Sequence, residues 1–391
     1  MDKKLYFKNL DSLRFFAFIS VFISHLALFS GYTNNDYYYQ QVQKLFLTHG
    51  DLGVNFFFVL SGFLITTLLF KEKEENGSIK IKDFYFRRIL RIWPLYFFIF
   101  DIGFFLLPRL VGGVPGMIAE QGAFNISHFW WFLFFAGNVD MSFGVKPFIS
   151  VAILWSISAE EQFYFIWPWI VKKFQKKGIL TVSILTIVIS YIFRIFVVKE
   201  DLSLFNFFTI SLMSDFAVGT LLAYILLFRS VRERLSRLPQ KVIILVYVLL
   251  IILLPTKSIL SNFLSGFTFK VFFALLPLIF SILFAFIIAE QEFATRSFFK
   301  AGNWKWFTFL GRRSYGLYCL HIICLIISQT VMYYFFHIPL YHSSGQIYIL
   351  ESIFAFALTV ASSTLSYRLL EEPFLRLKTS FSGKTDARLG K

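Results

Sequence analysis

Long apolar runs recur along the whole chain and constrain its fold more than any other feature of the sequence. Several of them approach the ~20 residues that an α-helix needs to cross a bilayer. Of the 391 residues, 57% are hydrophobic and 16% are charged, whereas a soluble domain carries about 25% charged residues. Backbone polar groups in lipid must be satisfied within the segment, so we interpret these runs as helices. The sequence predicts an all-α polytopic membrane protein.

The apolar runs divide the chain into about ten predicted transmembrane helices. They cover residues 12–31, 52–70, 92–108, 155–171, 179–198, 207–228, 241–255, 266–289, 309–333 and 347–369. The first run lacks a small-residue cleavage site, so we expect it to remain as an uncleaved anchor. Residues 128–136 are apolar but too few to span, which predicts an interfacial or re-entrant segment. Residues 1–375 form one predicted membrane domain, and residues 376–391 form a short basic cytoplasmic tail.

The distribution of basic residues predicts the orientation of these helices. If the N-terminus is cytoplasmic, 29 of the 38 Lys and Arg residues fall in cytoplasmic segments or at the helix ends that border them. The external segments then hold five, which are Lys44, Arg109, Lys146, Lys199 and Lys257. This asymmetry predicts that both termini are cytoplasmic. It also argues against nucleic acid as a partner, although the formal net charge is +15, because the basic residues do not form one continuous patch.

The two cysteines predict neither a disulfide framework nor a metal site. Cys319 and Cys324 share one apolar run, and their five-residue spacing directs them to different faces of a helix. We therefore expect both to pack as small apolar side chains. No zinc-binding motif is visible.

The first predicted helix carries two polar residues that stand out from its apolar background. Arg14 and His25 are eleven residues apart, which returns to nearly the same helical face after three turns, or roughly 16 Å. Charged groups inside spans are costly and often functional. The alternatives are that Arg14 is a snorkelling anchor and that His25 hydrogen-bonds to a neighbouring helix.

The segment DFYFRRILRIWP, residues 83–94, is amphipathic, with Arg87, Arg88 and Arg91 along one arc of the helical wheel. One interpretation is an interfacial helix that contacts anionic lipid headgroups. The other is that Arg88 and Arg91, one turn apart, bind an anionic ligand at the cytoplasmic surface.

Two further segments carry polar residues inside predicted helices. In WSISAEEQFYFIWP, residues 155–168, Glu160 and Glu161 lie in the first turns of a helix that enters from outside. They predict a polar site for hydroxyl groups, or else a hydrated vestibule with no chemical role. Tyr315, Tyr318 and His321 follow at three-residue spacing in the ninth helix, where they line a cavity or pack.

Together these motifs resemble the acyltransferase 3 family of integral membrane acyltransferases, which O-acylate bacterial surface polysaccharides and related glycosides. The resemblance rests on LDSLRFFAFISVFISH with Arg14 and His25, GVNFFFVLSGFLIT with Ser61, FYFRRILRIWPLY with Arg88 and Arg91, and WSISAEEQFYFIWP, in which Glu160 matches the family's acidic position. SYGLYCLH and the closing EEPF complete the set. Each motif alone is weak, but six in the same order cover residues 10–374.

The resemblance implies a ten-helix membrane acyltransferase domain that uses cytoplasmic acyl-CoA, acetyl-CoA in the simplest case, as a co-substrate. It implies no permanently bound cofactor, an extracytoplasmic saccharide or glycoside acceptor, and catalysis by His25. The expected location is the cytoplasmic membrane of a bacterium. Many relatives carry an extracytoplasmic SGNH hydrolase-like domain after the core. We expect this chain to be a core alone, whose acceptor chemistry could need a partner supplied in trans.

A mechanism can be assigned to these residues as a hypothesis. Arg88 and Arg91 bind the CoA phosphates, and His25 is the general base for the attacking hydroxyl. Arg14 either stabilises negative charge on CoA or fixes the entry of its pantetheine arm. The expected contacts with the acceptor are Glu160, Tyr164, Tyr318 and His321. Direct transfer needs no nucleophile from the protein, although Ser61 offers an acyl relay.

Two other functions fit parts of the sequence. A polysaccharide exporter or transporter would suit ten crossings with the intramembrane charges Arg194 and Asp215, which can also simply pair. No inverted repeat or broken helix pair supports it. A lipid-linked glycosyltransferase would need an external acidic metal or donor site, which Asp140 alone does not make.

The predicted orientation can be tested by cysteine accessibility in a variant that lacks Cys319 and Cys324. Residues 71–91, 229–240 and the C-terminus should be cytoplasmic, while 32–50 and 337–346 should be external. An impermeant maleimide should therefore label the external segments of intact cells and leave a cysteine at residue 77 unlabelled. Labelling of residue 77 from outside would contradict the arrangement.

Overall fold

The computed structural model describes residues 7–377, apart from residues 30–42, 44–46, 48, 108, 110–125, 145–146, 199, 257–258, 260–262 and 340–343. Most of the predicted cytoplasmic tail, residues 376–391, lies outside the described residues. Within the described part every regular element is a helix. The prediction of an all-α polytopic membrane protein is confirmed.

Sixteen α-helices follow one another along the described residues. They are α1 Lys8–Phe29, α2 Gly50–Asn76, α3 Ile81–Asp101, α4 Phe129–Leu133, α5 Gly137–Ser142, α6 Ile149–Ala152, α7 Leu154–Lys173, α8 Lys176–Val197, α9 Leu202–Phe207, α10 Thr209–Ile225, α11 Arg229–Ser236, α12 Gln240–Leu253, α13 Gly266–Phe293, α14 Lys305–Gly311, α15 Ser314–Phe336 and α16 Gly345–Ser366. Single π-helical stretches, Ile102–Leu106 and Tyr367–Glu371, continue α3 and α16.

Eight helices of the described part are long and apolar enough to cross a membrane. A ninth is added if α11 and α12, which meet at an angle of 89°, form one broken span. The 20-residue α7 is not among them, because Glu160, Glu161 and Gln162 lower its mean hydropathy. Each of the ten predicted crossings nevertheless coincides with a helix of the structure.

The third predicted crossing begins too late in the sequence. We predicted a span at 92–108, preceded in one interpretation by an interfacial segment, but the structure has one candidate span from Ile81 to Leu106. Pro94 lies inside this helix without ending it. The amphipathic segment and the following apolar run are therefore one helix, and Arg88 and Arg91 lie within a candidate span.

Glycines allow α2 to approach α10 closely at the centre of the bundle. A Cβ atom on Gly62 would lie 2.1 Å from the carbonyl oxygen of Phe216, and one on Gly219 would lie 2.0 Å from that of Val59. Small residues at such crossings bring helix backbones into contact, which drives association in membranes. Gly62, which follows Ser61 in the GVNFFFVLSGFLIT motif, therefore has a packing role.

The first helix, α1, is held at the centre by similar contacts. A Cβ atom on Gly53 of α2 would lie 2.4 Å from the carbonyl oxygen of Ala17, and one on Gly311 of α14 would lie 1.7 Å from that of Asp11. Phe18 and Val21 are fully buried. Helix α1 also packs against α15, and its polar residues Asp11, Ser12 and Ser24 are buried in the bundle.

The segment that contains α4 runs back along α3 from the predicted outer side. The Phe129 ring centroid lies 5.6 Å from that of Phe104, and the Phe135 centroid lies 4.4 Å from that of Tyr96. The contacts thus descend about two turns of α3, or roughly 12 Å. The segment turns at Phe135, whose φ of 55° is in the left-handed region. These contacts place the segment against α3, and the interfacial and re-entrant alternatives both stay predictions.

Substitution of Gly62 should test the close helix crossing. Gly62→Ala should lower the free energy of unfolding in detergent by about 1–3 kcal/mol or more. The new Cβ atom would overlap a backbone oxygen, which cannot move without its helix. Thermal unfolding followed by fluorescence size exclusion measures the loss. Gly178→Ala is the matched control, since its Cβ atom would meet side-chain atoms of Phe174 at 3.1 Å and no backbone oxygen of another helix. Such a side chain can move aside at little cost. Equal stability of the two variants would contradict the packing role.

Candidate active site

Two polar groups lie at different depths along α1. Arg14 and His25 belong to one uninterrupted helix, so their eleven-residue separation corresponds to roughly 16 Å along its axis. The Arg14 guanidinium bonds to the Asp11 carboxylate at 2.7 Å, and Asp11 also lies 3.6 Å from Arg312. His25 is half-buried near the predicted outer end. The helix therefore connects two separate polar environments.

The outer environment is a pair of histidines. His321 of α15 is fully buried, and its Nε2 atom lies 3.1 Å from Nδ1 of His25. The Nδ1 atom of His321 lies 2.6 Å from the carbonyl oxygen of Tyr318, and Nδ1 of His25 lies 3.1 Å from that of Val21. The ring of Phe18 packs edge-on against His321 at a centroid distance of 5.8 Å. Both imidazoles are thus held by a backbone carbonyl and by each other.

These contacts define the tautomers of the neutral pair. A carbonyl oxygen only accepts hydrogen bonds, so Nδ1 of each ring must carry a proton. His321 Nε2 is then an acceptor, and the His25 Nδ1–H is shared between it and the Val21 carbonyl. The unprotonated nitrogen of His25 is therefore Nε2. That atom has the lone pair that a general base needs.

The inner environment is built around Glu160 of α7. Ser61 of α2 donates a hydrogen bond of 2.9 Å to Glu160 Oε1. The Tyr164 hydroxyl lies 2.9 Å from Glu160 Oε2 and 3.0 Å from the Ser61 oxygen. One turn separates Glu160 from Tyr164 on α7, which places both on the same face. Residues of two distant motifs therefore form one hydrogen-bonded cluster.

Three arginines surround this cluster. The Arg88 guanidinium lies 5.2 Å from the centre of the Tyr164 ring, and Arg91, one turn further along α3, is exposed. Arg88, Arg91 and Arg14 all lie within electrostatic range of Glu160. The sequence placed the arginines at the cytoplasmic mouth and Glu160 at the outer entrance. The structure brings them together.

Tyr318 and Ser156 connect the two environments. The Tyr318 hydroxyl lies 2.6 Å from the hydroxyl of Ser156, which precedes Glu160 by one turn of α7. Tyr318 in turn precedes His321 by three residues on α15. Polar groups therefore follow one another from the histidine pair to the arginine cluster. Tyr315 points elsewhere and donates to the carbonyl of Ile92 at 2.7 Å.

Three further polar side chains lie beside the site, namely Trp93, Glu161, which the sequence offered only as one of an acidic pair, and Glu371, to which it gave no separate role. Trp93 donates to Glu161 Oε2 at 3.1 Å, while Glu161 Oε1 has no hydrogen-bond partner in the described part of the chain. Glu371 of the EEPF motif is 6% exposed and lies within electrostatic range of Arg91. The conspicuous acidic pairs at 160–161 and 371–372 were the available signals. The residues that contact these acids from other helices carried no such signal in the sequence.

Arg194 and Asp215 form a separate buried group. Their side chains are 4% and 0% exposed and lie 3.8 Å apart. Ser281 donates to Asp215 Oδ1 at 2.8 Å, and Arg194 donates to Ser211 at 3.0 Å. The pairing anticipated from their similar depth is present, and it ties α8, α10 and α13 together. Among the described residues, no cluster of three or more His, Cys, Asp or Glu side chains could hold a metal ion.

Comparison with known proteins supports the same family as the motifs. A family model described as an acyltransferase domain, that of the acyltransferase 3 family, matches residues 7–368. No solved structure matches.

Several curated relatives come from Staphylococcus aureus. A protein of strain COL named "Putative O-acetyltransferase" is 28% identical over 389 residues, which cover 95% of this chain and 58% of that protein. The O-acetyltransferase OatA of strain NCTC 8325 is 27% identical over 390 residues, which cover 94% of this chain and 57% of OatA. The chain thus spans less than two thirds of the length of these relatives. With a family model that matches nearly the whole of the described sequence, the chain belongs to the acyltransferase 3 family.

Proposed function

We propose that this protein is a membrane O-acyltransferase that moves an acyl group, acetyl in the simplest case, from acyl-CoA to a hydroxyl of an extracytoplasmic saccharide. The observation that carries the proposal is the arrangement along α1, where a histidine held through Nδ1 lies three turns from an arginine cluster. Membership of the acyltransferase 3 family and the names of the relatives support O-acyl transfer. The proposed location is the bacterial cytoplasmic membrane.

The arginine cluster is the proposed binding site for the donor. Guanidinium groups bind phosphate oxygens through paired hydrogen bonds, and CoA carries several phosphates. Arg91 is exposed, Arg88 lies one turn away, and Arg14 faces the same space. Glu160, Tyr164 and Ser61 share this cluster, so the geometry favours a role in holding the arginines and the donor. Contact with the acceptor on the outer side, which the sequence predicted for Glu160, would then fall to other residues.

The proposed reaction is direct transfer within a ternary complex. His25 Nε2 takes the proton from the acceptor hydroxyl as the hydroxyl oxygen attacks the thioester carbonyl carbon. The carbon–sulfur bond then breaks, and the CoA thiolate leaves with the proton that His25 returns. A positioned general base contributes a factor of ~10²–10⁴ to such a step. Tyr318, between the histidine pair and Glu160, is proposed to contact the reacting groups.

Two alternatives remain testable beside direct transfer. An acyl relay through Ser61 would use a hydroxyl that already donates to Glu160 at 2.9 Å. A polysaccharide exporter would need intramembrane charges that are available to a cargo. The described contacts of Arg194 and Asp215 are with each other and with serines of neighbouring helices, which gives this alternative no support.

Removal of the two inner arginines should weaken donor binding. In Arg88→Ala and Arg91→Ala, the apparent KM for acetyl-CoA should rise about tenfold or more, while the KM for the acceptor changes little, because charge-assisted bonds to phosphate are lost. Arg87→Ala is the matched control, since Arg87 lies on the same helix but pairs with Glu72 at 3.3 Å. Unchanged donor kinetics in both variants, with loss of membrane insertion alone, would indicate a lipid-binding role instead.

Substitution of His25 should abolish transfer and leave donor binding intact. His25→Ala and His25→Gln should lower kcat by a factor of about 10²–10⁴ with little change in the Kd for acetyl-CoA, because neither side chain takes up a proton. Radiolabelled acetyl transfer and equilibrium binding measure the two effects. A glutamine variant with near-normal turnover would refute the general-base role. A stable acetyl adduct of the protein, found by intact-protein mass spectrometry without acceptor, would replace direct transfer with a relay.

A further inference from the structure

The histidine pair at the outer end of α1 contains one residue that the proposed reaction does not use. His321 is 0% exposed, and both of its ring nitrogens are engaged, Nδ1 with the Tyr318 carbonyl and Nε2 with His25. The sequence predicted an acceptor contact for this residue. A ring with both nitrogens occupied by protein groups has no remaining polar atom for a substrate.

We propose that His321 is a positioning residue that fixes the tautomer and ring orientation of His25. This proposal rests on the general-base role proposed for His25. The Tyr318 carbonyl requires a proton on Nδ1 of His321, so the opposite nitrogen accepts. That acceptor, 3.1 Å away, retains the His25 proton on Nδ1 and leaves the lone pair on Nε2. The Val21 carbonyl accepts from the same Nδ1–H at 3.1 Å, so loss of His321 would remove one of two acceptors that favour this tautomer, and the share of the Nε2-protonated form of His25 would rise.

The chemistry of the pair resembles that of a base oriented by a third group. In hydrolytic triads a buried carboxylate holds the imidazole in the correct tautomer and stabilises the imidazolium that forms, and loss of the tautomer costs ~10⁴-fold in kcat. A carboxylate at this depth would add an unpaired negative charge to the membrane interior, which is costly. A neutral imidazole supplies the same acceptor without a charge. The backbone carbonyl of Tyr318 keeps the proton on Nδ1 of His321, so no acidic side chain is needed to orient this second imidazole.

The aromatic surroundings restrict the pair to this arrangement. The Phe18 and Phe22 rings lie 5.8 Å and 6.4 Å from the His321 ring, and Phe22 also packs edge-on against Phe356 of α16. Rotation of the imidazole would require these rings to move, because protein interiors are closely packed. His321 is therefore held from both sides while it holds His25.

Two substitutions of His321 test its two hydrogen bonds separately. The amide of glutamine reaches the position of Nε2, so His321→Gln retains an acceptor for His25. The amide of asparagine reaches only the position of Nδ1, so His321→Asn retains the bond to the Tyr318 carbonyl and loses the one to His25. We expect His321→Asn to lower kcat for acetyl transfer about 10- to 100-fold with an unchanged KM for acetyl-CoA. His321→Gln should stay within about threefold of the wild-type kcat.

Nitrogen-15 spectra of protein with labelled histidines provide a readout that does not depend on activity. The chain has six histidines, and His25→Ala assigns the His25 signals. The wild-type protein and His321→Gln should show a protonated Nδ1 and an unprotonated Nε2 on His25, whereas His321→Asn should show a mixture of tautomers. Unchanged His25 signals in His321→Asn would overturn the proposal.

The kinetic pattern gives a second way to overturn the proposal. A raised KM for the acceptor with an unchanged kcat in both variants would identify His321 as a substrate contact. Equal losses of kcat in the two variants would indicate a packing role. If His25→Gln transfers normally while the His25 spectra respond to His321→Asn, the general-base role fails and the hydrogen-bonded pair stands.

Discussion

The compensation of buried arginine charge is the constraint on which the rest of this structure depends. A guanidinium inside a membrane protein needs a counter-charge and hydrogen-bond partners within the bundle. Arg14 finds its partner within its own helix, in Asp11, whereas Arg88 lies against the Tyr164 ring beside Glu160. Ser61 of α2 donates to the same Glu160, and Arg14 lies within its electrostatic range, so residues of α1, α2, α3 and α7 come together in one polar cluster. The same charges that require this meeting provide the proposed donor site.

Small residues make the meeting sterically possible. Gly62 faces the backbone of α10, and the preceding Ser61 faces Glu160 of α7. One short motif thus fixes the approach of two helices and supplies a hydroxyl to the polar cluster. Gly53 has the same effect on the other side of α2, where it contacts the backbone of α1. Packing and polar chemistry are connected through adjacent residues because successive positions on a helix point about 100° apart.

Separation of the two polar environments along α1 matches the proposed reaction, whose two substrates come from opposite sides of a membrane. The arginine cluster faces the end of the bundle with a predicted cytoplasmic orientation, and the histidine pair lies towards the other end. Phe18 and Phe22 fill the intervening face of α1. A rigid, aromatic interior of this kind keeps a base and a charged cluster at a fixed distance, since tightly packed side chains have little freedom to reorganise.

Sequence periodicity by itself determined the all-helical fold, the order of the crossings and the shared face of Arg14 and His25. These properties follow from the length of apolar runs and from the 3.6-residue repeat, which are local. The same local reasoning failed where two patterns merge. The amphipathic segment at 83–94 and the apolar run after it were treated as separate, although α3 continues through Pro94.

Only the tertiary structure decided which helices face one another. Ser61 and Glu160 are 99 residues apart, and His25 and His321 are 296 residues apart, so no spacing in the sequence relates them. Periodicity identifies the face of a helix that is polar but not the neighbour that it meets. It therefore placed Glu160 at the outer entrance and His321 on the acceptor. Helix packing, through glycine contacts and compensation of buried charge, joined Glu160 to the arginines and His321 to His25.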